Sequence, residues 1–204
     1  MKIVIATHNK DKYKELYFGL KSLKVNLKSL FDFPDISEIV EDGDTLKENA
    51  LIKARTVFKL TSLPSISDDT GLEVDVLNGA PGVYTARYAG ENCSYLENVN
   101  KMLYTMKDIS DDNRSATFKT VMAYVDGNVE LTCEGIVKGT ITRSIKGVGG
   151  FGYDSIFYSN EKNKTFAEMT IEEKNLVSHR SKAILALKAE LVTHFNIPNK
   201  KENA

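Results

Sequence analysis

The chain has 204 residues, enough for one large domain or for two lobes sharing a core. Its 42% hydrophobic and 27% charged residues are those of an ordinary globular protein, and 27 Lys and Arg against 28 Asp and Glu give a net charge of −1, without the basic excess of a duplex-binding surface. Cys93 and Cys133 have no metal-ligand or redox spacing and no apolar run approaches membrane or signal-sequence length, so the expectation is a cytoplasmic protein with reduced thiols and neither a nucleic-acid nor a membrane partner.

Residues 2–6 read as a short strand that feeds a polar turn, after which Leu16, Leu20 and Leu23 recur at helical spacing. A strand, loop and helix in this order is the layout in which a helix N-terminus meets anions. Thr45 and Glu48 have capping-box spacing, which predicts a helix over 46–60. A buried strand over 64–67 should end in Asp68-Asp69, with a second strand at 72–76. After the Gly79-Ala80-Pro81-Gly82 turn, Leu96, Val99, Leu103 and Met106 mark another helix. Residues 117–125 and 129–137 flank Asp126-Gly127-Asn128, a hairpin signal. The glycine-rich loop 147–152 leads to a short strand at 156–158, and Ile184, Leu187 and Leu191 define a last helix starting near Ser178. The fold class is α/β with a mixed, twisted sheet. One domain over 1–198 and a polar tail at 199–204 are expected.

Four constellations carry possible chemistry. In Thr7-His8-Asn9-Lys10-Asp11-Lys12, exposed amides, a hydroxyl, an Asn amide and Lys12 suit phosphate oxygens. The plainer account is a helix cap followed by solvated lysines, and the glycines of a Walker loop are missing. Asp68 and Asp69, with the upstream cluster Glu38, Glu41, Asp42 and Asp44, offer hard oxygen ligands for Mg²⁺ and a group to orient water. Adjacent aspartates before Thr-Gly also simply make turns. In Gly149-Gly150-Phe151-Gly152-Tyr153-Asp154, glycines permit close approach, Phe151 offers a stacking face and Asp154 an acceptor. The alternative is a loop whose aromatics fold onto the core. Finally, Lys174, His179 and Arg180 can donate to a carbonyl or phosphate, or can be solvated helix surface.

Taken together, from Lys2 to about Leu191, these segments closely resemble the inosine triphosphate pyrophosphatase family, also called XTP/dITP diphosphatases. The matching stretches are Ala6 through Lys12, Glu48-Asn49-Ala50, Ser67-Asp68-Asp69-Thr70-Gly71, Gly79-Ala80-Pro81-Gly82 and Thr85-Ala86-Arg87-Tyr88. Gly150-Phe151-Gly152-Tyr153-Asp154, Glu173-Lys174-Asn175 and Ser178-His179-Arg180 follow in order. The resemblance implies an elongated α/β fold of two lobes around a central active-site cleft, a homodimer, and Mg²⁺-dependent hydrolysis of ITP, dITP and XTP to the monophosphate and pyrophosphate. It implies that Thr7, His8, Asn9, Lys10, Asp11 and Lys12 contact the triphosphate, and that Asp69 is general base and metal ligand with Asp68 beside it. Glu41 becomes the upstream metal carboxylate, with Glu38 a near competitor. Lys53 faces the phosphates, and Thr70 contacts substrate. Phe151, Gly152, Tyr153, Asp154, Lys174, His179 and Arg180 form the base pocket. Two positions depart from the family: Thr85 replaces its more frequent serine, and Ser155 its frequent proline.

The implied chemistry is in-line attack by water on a phosphorus, catalysed by positioning and charge neutralisation. Selectivity would come from Lys174 and Arg180 meeting the 6-oxo group of hypoxanthine or xanthine, where adenine presents a donor. Guanine shares the 6-oxo group, so its exclusion needs a contact at the 2-position. Two rivals are a related pyrophosphatase for modified pyrimidine or methylated nucleotides, and a non-catalytic nucleotide sensor.

Overall fold

The computed structural model describes residues 1–195. Strands are β1 (Lys2–Ile5), β2 (Asn26–Ser29), β3 (Ser65–Val74), β4 (Pro81–Gly82), β5 (Ser115–Val125), β6 (Glu130–Ile141), β7 (Phe157–Ser159) and β8 (Lys164–Thr165). Helices are α1 (Lys10–Leu20), α2 (Leu46–Thr61), α3 (Tyr95–Thr105), α4 (Ile171–Val177) and α5 (His179–Phe195). The sheet is mixed, in the order β2-β1-β3-β5-β6-β7-β8 with β4 paired to β3, as expected for the α/β class. The tail expected at 199–204 lies outside the described residues. The chain divides into two compact units, each assembled from separate stretches of sequence.

Among the described residues, the first unit comprises Met1–Asp69, Thr120–Gly135 and 180–195. Here β1 lies between β2 and β3, parallel to both. Because side chains alternate along a strand, Ile3 and Ile5 of β1 pack with Leu16, Leu20, Ile184 and Leu187 of α1 and α5. Val4 and Ala6 face the other way, against Leu30 and Val57. Two caps set the helices around this layer. Asn9 Oδ1 accepts from the amides of Asp11 and Lys12, both at 3.0 Å, which starts α1. Thr45 and Glu48 form the expected reciprocal capping box of α2. Asp126 closes the hairpin, its Oδ1 accepting from Asn128 and Val129 amides at 2.9 and 2.8 Å.

The second unit comprises Thr70–Lys119 and Ile136–His179. Its core gathers Leu72 and Val74 from β3, Val99 and Met102 from α3, and Phe118, Phe157 and Phe166. Arg114 is buried there with its guanidinium inside a set of carbonyls: Nε donates to Ile141 (2.7 Å), Nη1 to Met106 (2.6 Å) and Nη2 to Thr142 (2.8 Å). Thr85, the residue in place of a serine, accepts from the Leu72 amide at 2.8 Å and donates to the Gly82 carbonyl at 2.5 Å. Its hydroxyl thus ties the turn to β3.

Three expectations change. The two strands expected at 64–67 and 72–76 are one continuous β3, and Asp68-Asp69 lies within it rather than at its end. Asp and Gly are poor strand formers, but here tertiary partners override propensity. Ser65 and Ser67 hydroxyls each donate at 2.5 Å to α2 carbonyls, those of Ala54 and Ala50. Second, a short helix α4 that was not expected precedes the last helix and has Ser178 as its C-cap, while α5 starts at His179, next to the start expected near Ser178. Third, Leu23 and Met106 bury just beyond their helices.

Candidate active site

Alternation along β3 decides what each aspartate meets. Ser65 and Ser67 face α2, so by the two-residue period Asp69 faces α2 as well, while Asp68 faces α1 and α5. The contacts follow this division. Asp68, fully buried, receives Arg180 Nε of α5 at 3.2 Å and has Lys12 Nζ of α1 at 3.5 Å. Asp69 Oδ1 lies 3.5 Å from Lys53 Nζ of α2 and 3.9 Å from Lys12 Nζ. The pair is adjacent in sequence, yet its members sit in different environments.

Electrostatics keep Asp68, Lys53 and Arg180 ionised. Burial would raise the Asp68 carboxyl, but the charges of Lys12, Arg180 and Lys53, with the Arg180 hydrogen bond, hold it well below the usual carboxylate range. Burial likewise works against the Lys53 ammonium, but Asp69, Glu41 and Asp68 outweigh it and raise its pKa. For Arg180, burial is outweighed by Asp68 and Glu15, which raise the guanidinium. Glu15, on α1, accepts from Arg180 Nη1 at 2.6 Å. The base-pocket expectation for the Arg180 side chain therefore changes: its guanidinium is committed to Asp68 and Glu15. A guanidinium 2% exposed needs compensating carboxylates, and these two supply them.

The loop before α1 also differs in detail from a set of open phosphate donors. The Asp11 and Lys12 amides are taken by the Asn9 cap, and the Asn9 amide donates to Thr7 Oγ1 at 3.2 Å. The capped helix start is electrostatically preferable to orphan amides, which is why Asn9 stands there. The His8 ring bonds elsewhere: Nε2 donates to the Ile36 carbonyl at 3.1 Å. Asp11 pairs with Lys14 at 3.6 Å, and Lys10 is exposed. Of the six residues, Lys12 is the one that brings charge to the acidic pair.

Glu41 is the upstream carboxylate that reaches the group: its Oε2 accepts from Lys53 Nζ, whereas Glu38 is exposed. Asn49, buried on α2, helps to place it, since its Oδ1 accepts from the Gly43 amide at 2.9 Å. Glu41 and Asp69 thus converge on one cation, the Lys53 ammonium. Among the described residues no three or more His, Cys, Asp or Glu gather as a metal site. Two carboxylates nevertheless suit Mg²⁺, which takes one or two of them and completes its shell with phosphates and waters.

The second unit organises the glycine-rich loop. Asp154 Oδ2 accepts from the Phe151 amide at 2.9 Å and from Lys174 Nζ at 2.5 Å. Lys174, on α4, also lies 4.9 Å from the centroid of the Phe151 ring, within cation–π range. Tyr153 is buried and donates to the Thr85 carbonyl at 3.0 Å. His179 is buried with its ring stacked on Phe118, centroids 4.3 Å apart and planes 13° apart. Thr70 is half-buried at the start of this unit. Gly152 has φ +60°, with nothing within 4 Å of where a Cβ would stand. At Gly150, with φ +70°, a Cβ would stand 2.1 Å from Asp154 Oδ2. Gly150→Ala should therefore displace Asp154 and cost about 1–3 kcal/mol, read by chemical denaturation. Wild-type stability in that variant would refute this account of the loop.

Comparison with known proteins gives a consistent match. A family model described as the Ham1 family matches residues 3–190. The chain is 45% identical over 191 residues to a dITP/XTP pyrophosphatase of Geobacter sulfurreducens, spanning 93% of this chain and 96% of that one. It is 45% identical over 189 residues to a dITP/XTP pyrophosphatase of Escherichia coli, spanning 91% and 95%. A solved HAM1 protein from Coxiella burnetii has a TM-score of 0.86 at 39% identity, covering 95% of this chain and 99% of that chain.

Proposed function

The chain belongs to the Ham1 family, and we infer that it hydrolyses non-standard purine nucleoside triphosphates (ITP, dITP and XTP) to the nucleoside monophosphate and pyrophosphate. Such an activity would cleanse the nucleotide pool. The observation that carries the chemistry is the acidic pair of β3 held among Lys12, Lys53 and Arg180.

The division of the aspartates suggests their roles. Asp69, with Glu41 across the Lys53 ammonium, orients the attacking water and accepts its proton as the α–β anhydride breaks. Asp68 is the supporting carboxylate, which holds Lys12 beside the reacting phosphates. Lys12 and Lys53 offset the charge that develops on phosphate oxygens. We propose Mg²⁺ as cofactor, held by Asp69 and Glu41; when bound it would neutralise phosphate charge and order the triphosphate. Thr7, the helix start at Asn9–Lys12 and Thr70 are proposed to bind the triphosphate. Phe151, with Gly152, Tyr153, Asp154, Lys174 and His179, is proposed to bind the base.

Lys174 carries the selectivity. Its ammonium, held by Asp154, donates to a 6-oxo acceptor, whereas a 6-amino group would set a donor against it at a partly desolvated position. A homodimer in the cytoplasm is proposed as well, on the family resemblance and on the two unpaired thiols. No helix among the described residues is long and apolar enough to cross a membrane.

A panel of nucleoside triphosphates, assayed for pyrophosphate with and without Mg²⁺, tests this reading. ITP, dITP and XTP should be turned over in Mg²⁺, with kcat/KM for ATP lower by about a hundredfold or more. Equal turnover of ATP and ITP would remove the base assignment.

A further inference from the structure

The ring of Phe151 has a neighbour that neither its motif nor the family match assigns. Tyr95, the first residue of α3, has its ring centroid 5.8 Å from that of Phe151, with the planes tilted by 43°. Its placement is fixed by the helix. Ser94 and Glu97 form a reciprocal capping box, with Ser94 Oγ accepting from the Glu97 amide at 3.2 Å and Glu97 Oε2 from the Ser94 amide at 2.7 Å. Tyr95, Val99 and Met102 follow the i, i+4, i+7 spacing of one helix face. Val99 and Met102 bury in the core of the second unit, at 2% and 0% exposure. Tyr95 continues that inward stripe past the point where the core ends, and remains 42% exposed. An aromatic ring on the inward face of a helix, left open to solvent beside a second aromatic, has surface to offer a flat ligand.

Phe151 itself is constrained. Asp154 holds its amide, and the Lys174 ammonium lies against its ring. We propose that Tyr95 is a base-binding residue, supplying a second stacking surface beside Phe151 for the purine ring of the substrate. This rests on the reading of the Phe151 loop as the base site. Stacking on an aromatic face is tolerant of base identity, because every base has a π-face. Tyr95 therefore sets affinity for purine nucleotides in general, and Lys174 sets the choice among them.

The test compares wild type, Tyr95→Ala and Tyr95→Phe in steady-state assays with ITP and ATP. Inhibition by tripolyphosphate, a ligand with no base, is measured in parallel. Tyr95→Ala should raise KM for ITP about tenfold, with kcat within about twofold and the ITP-to-ATP preference unchanged. Tyr95→Phe, which keeps the ring, should behave as wild type, and tripolyphosphate should inhibit all three alike. A wild-type KM in Tyr95→Ala overturns the proposal. So does a parallel loss of tripolyphosphate inhibition, which would mark general damage to the fold. Failure of the wild-type chain to turn over ITP would instead overturn the function proposed above, and the role of Tyr95 with it.

Discussion

Asp69→Asn should lower kcat for pyrophosphate release from ITP by about a hundredfold or more, corresponding to roughly 3 kcal/mol of lost transition-state stabilisation. The amide is nearly isosteric with the carboxylate, so packing against α2 is preserved. It cannot accept the water proton, and it removes one of the two carboxylates that converge on Lys53. Stability should change little by comparison, because Lys53 keeps Glu41 and Lys12 keeps Asp68. The measurement is kcat in saturating ITP and Mg²⁺, beside a thermal melt of the same preparation. A variant retaining more than about a tenth of wild-type kcat would exclude Asp69 as the general base. The same assay bears on the rival reading of a nucleotide sensor. A sensor would bind ITP and release no pyrophosphate even as wild type.

What the sequence makes legible here is local. The α2 capping box at Thr45 and Glu48 and the Asp126 hairpin are both written within a few residues, and both stand as read. The helix α4 was equally legible in principle, since Thr170 and Glu173 have the same capping-box spacing. That signal lies inside a stretch whose Lys174 and Glu173 invite a functional reading instead. The continuity of β3 is a different case. Asp68-Asp69-Thr70-Gly71 has the composition of a turn, and its place in the sheet between β1 and β5, with bonds to α2, α1 and α5, keeps it extended. Those partners are distant in the chain. Arg180 reaches Asp68 across 112 positions and Glu15 across 165. No local pattern announces such a pairing, so the Arg180 side chain read as a base donor and Glu15 went unnoticed. Once β3 is known, however, its two-residue period explains why Asp68 meets α1 and α5 and Asp69 meets α2. The motif named the chemistry of both carboxylates, while the pleat separates their work.

The Arg180 contacts lead to the largest expected effect on stability. Removing one partner of a buried charge pair leaves the other uncompensated, which typically costs about 3–5 kcal/mol. Arg180→Ala takes from Asp68, at 0% exposure, the guanidinium that donates to it, while Lys12 stays at 3.5 Å, and takes from Glu15 the bond of Nη1. At neutral pH the variant should be less stable by about that amount in urea unfolding. The penalty should also depend on pH. In the wild type the folded Asp68 carboxyl lies below its unfolded value, near 3.9, so its contribution is complete above that value and lost as pH falls below it. Without Arg180 the burial term meets less opposition, and the folded pKa of Asp68 rises toward or beyond the unfolded one. Asp68 in the variant then protonates earlier on acidification, which relieves the buried charge. The stability gap between variant and wild type should consequently be widest near pH 7 and narrow below about pH 4. Unfolding curves at pH 7 and pH 3.5 decide the matter. A gap of the same size at both would mean that Arg180 acts by packing alone, and that the charge of Asp68 does not depend on it.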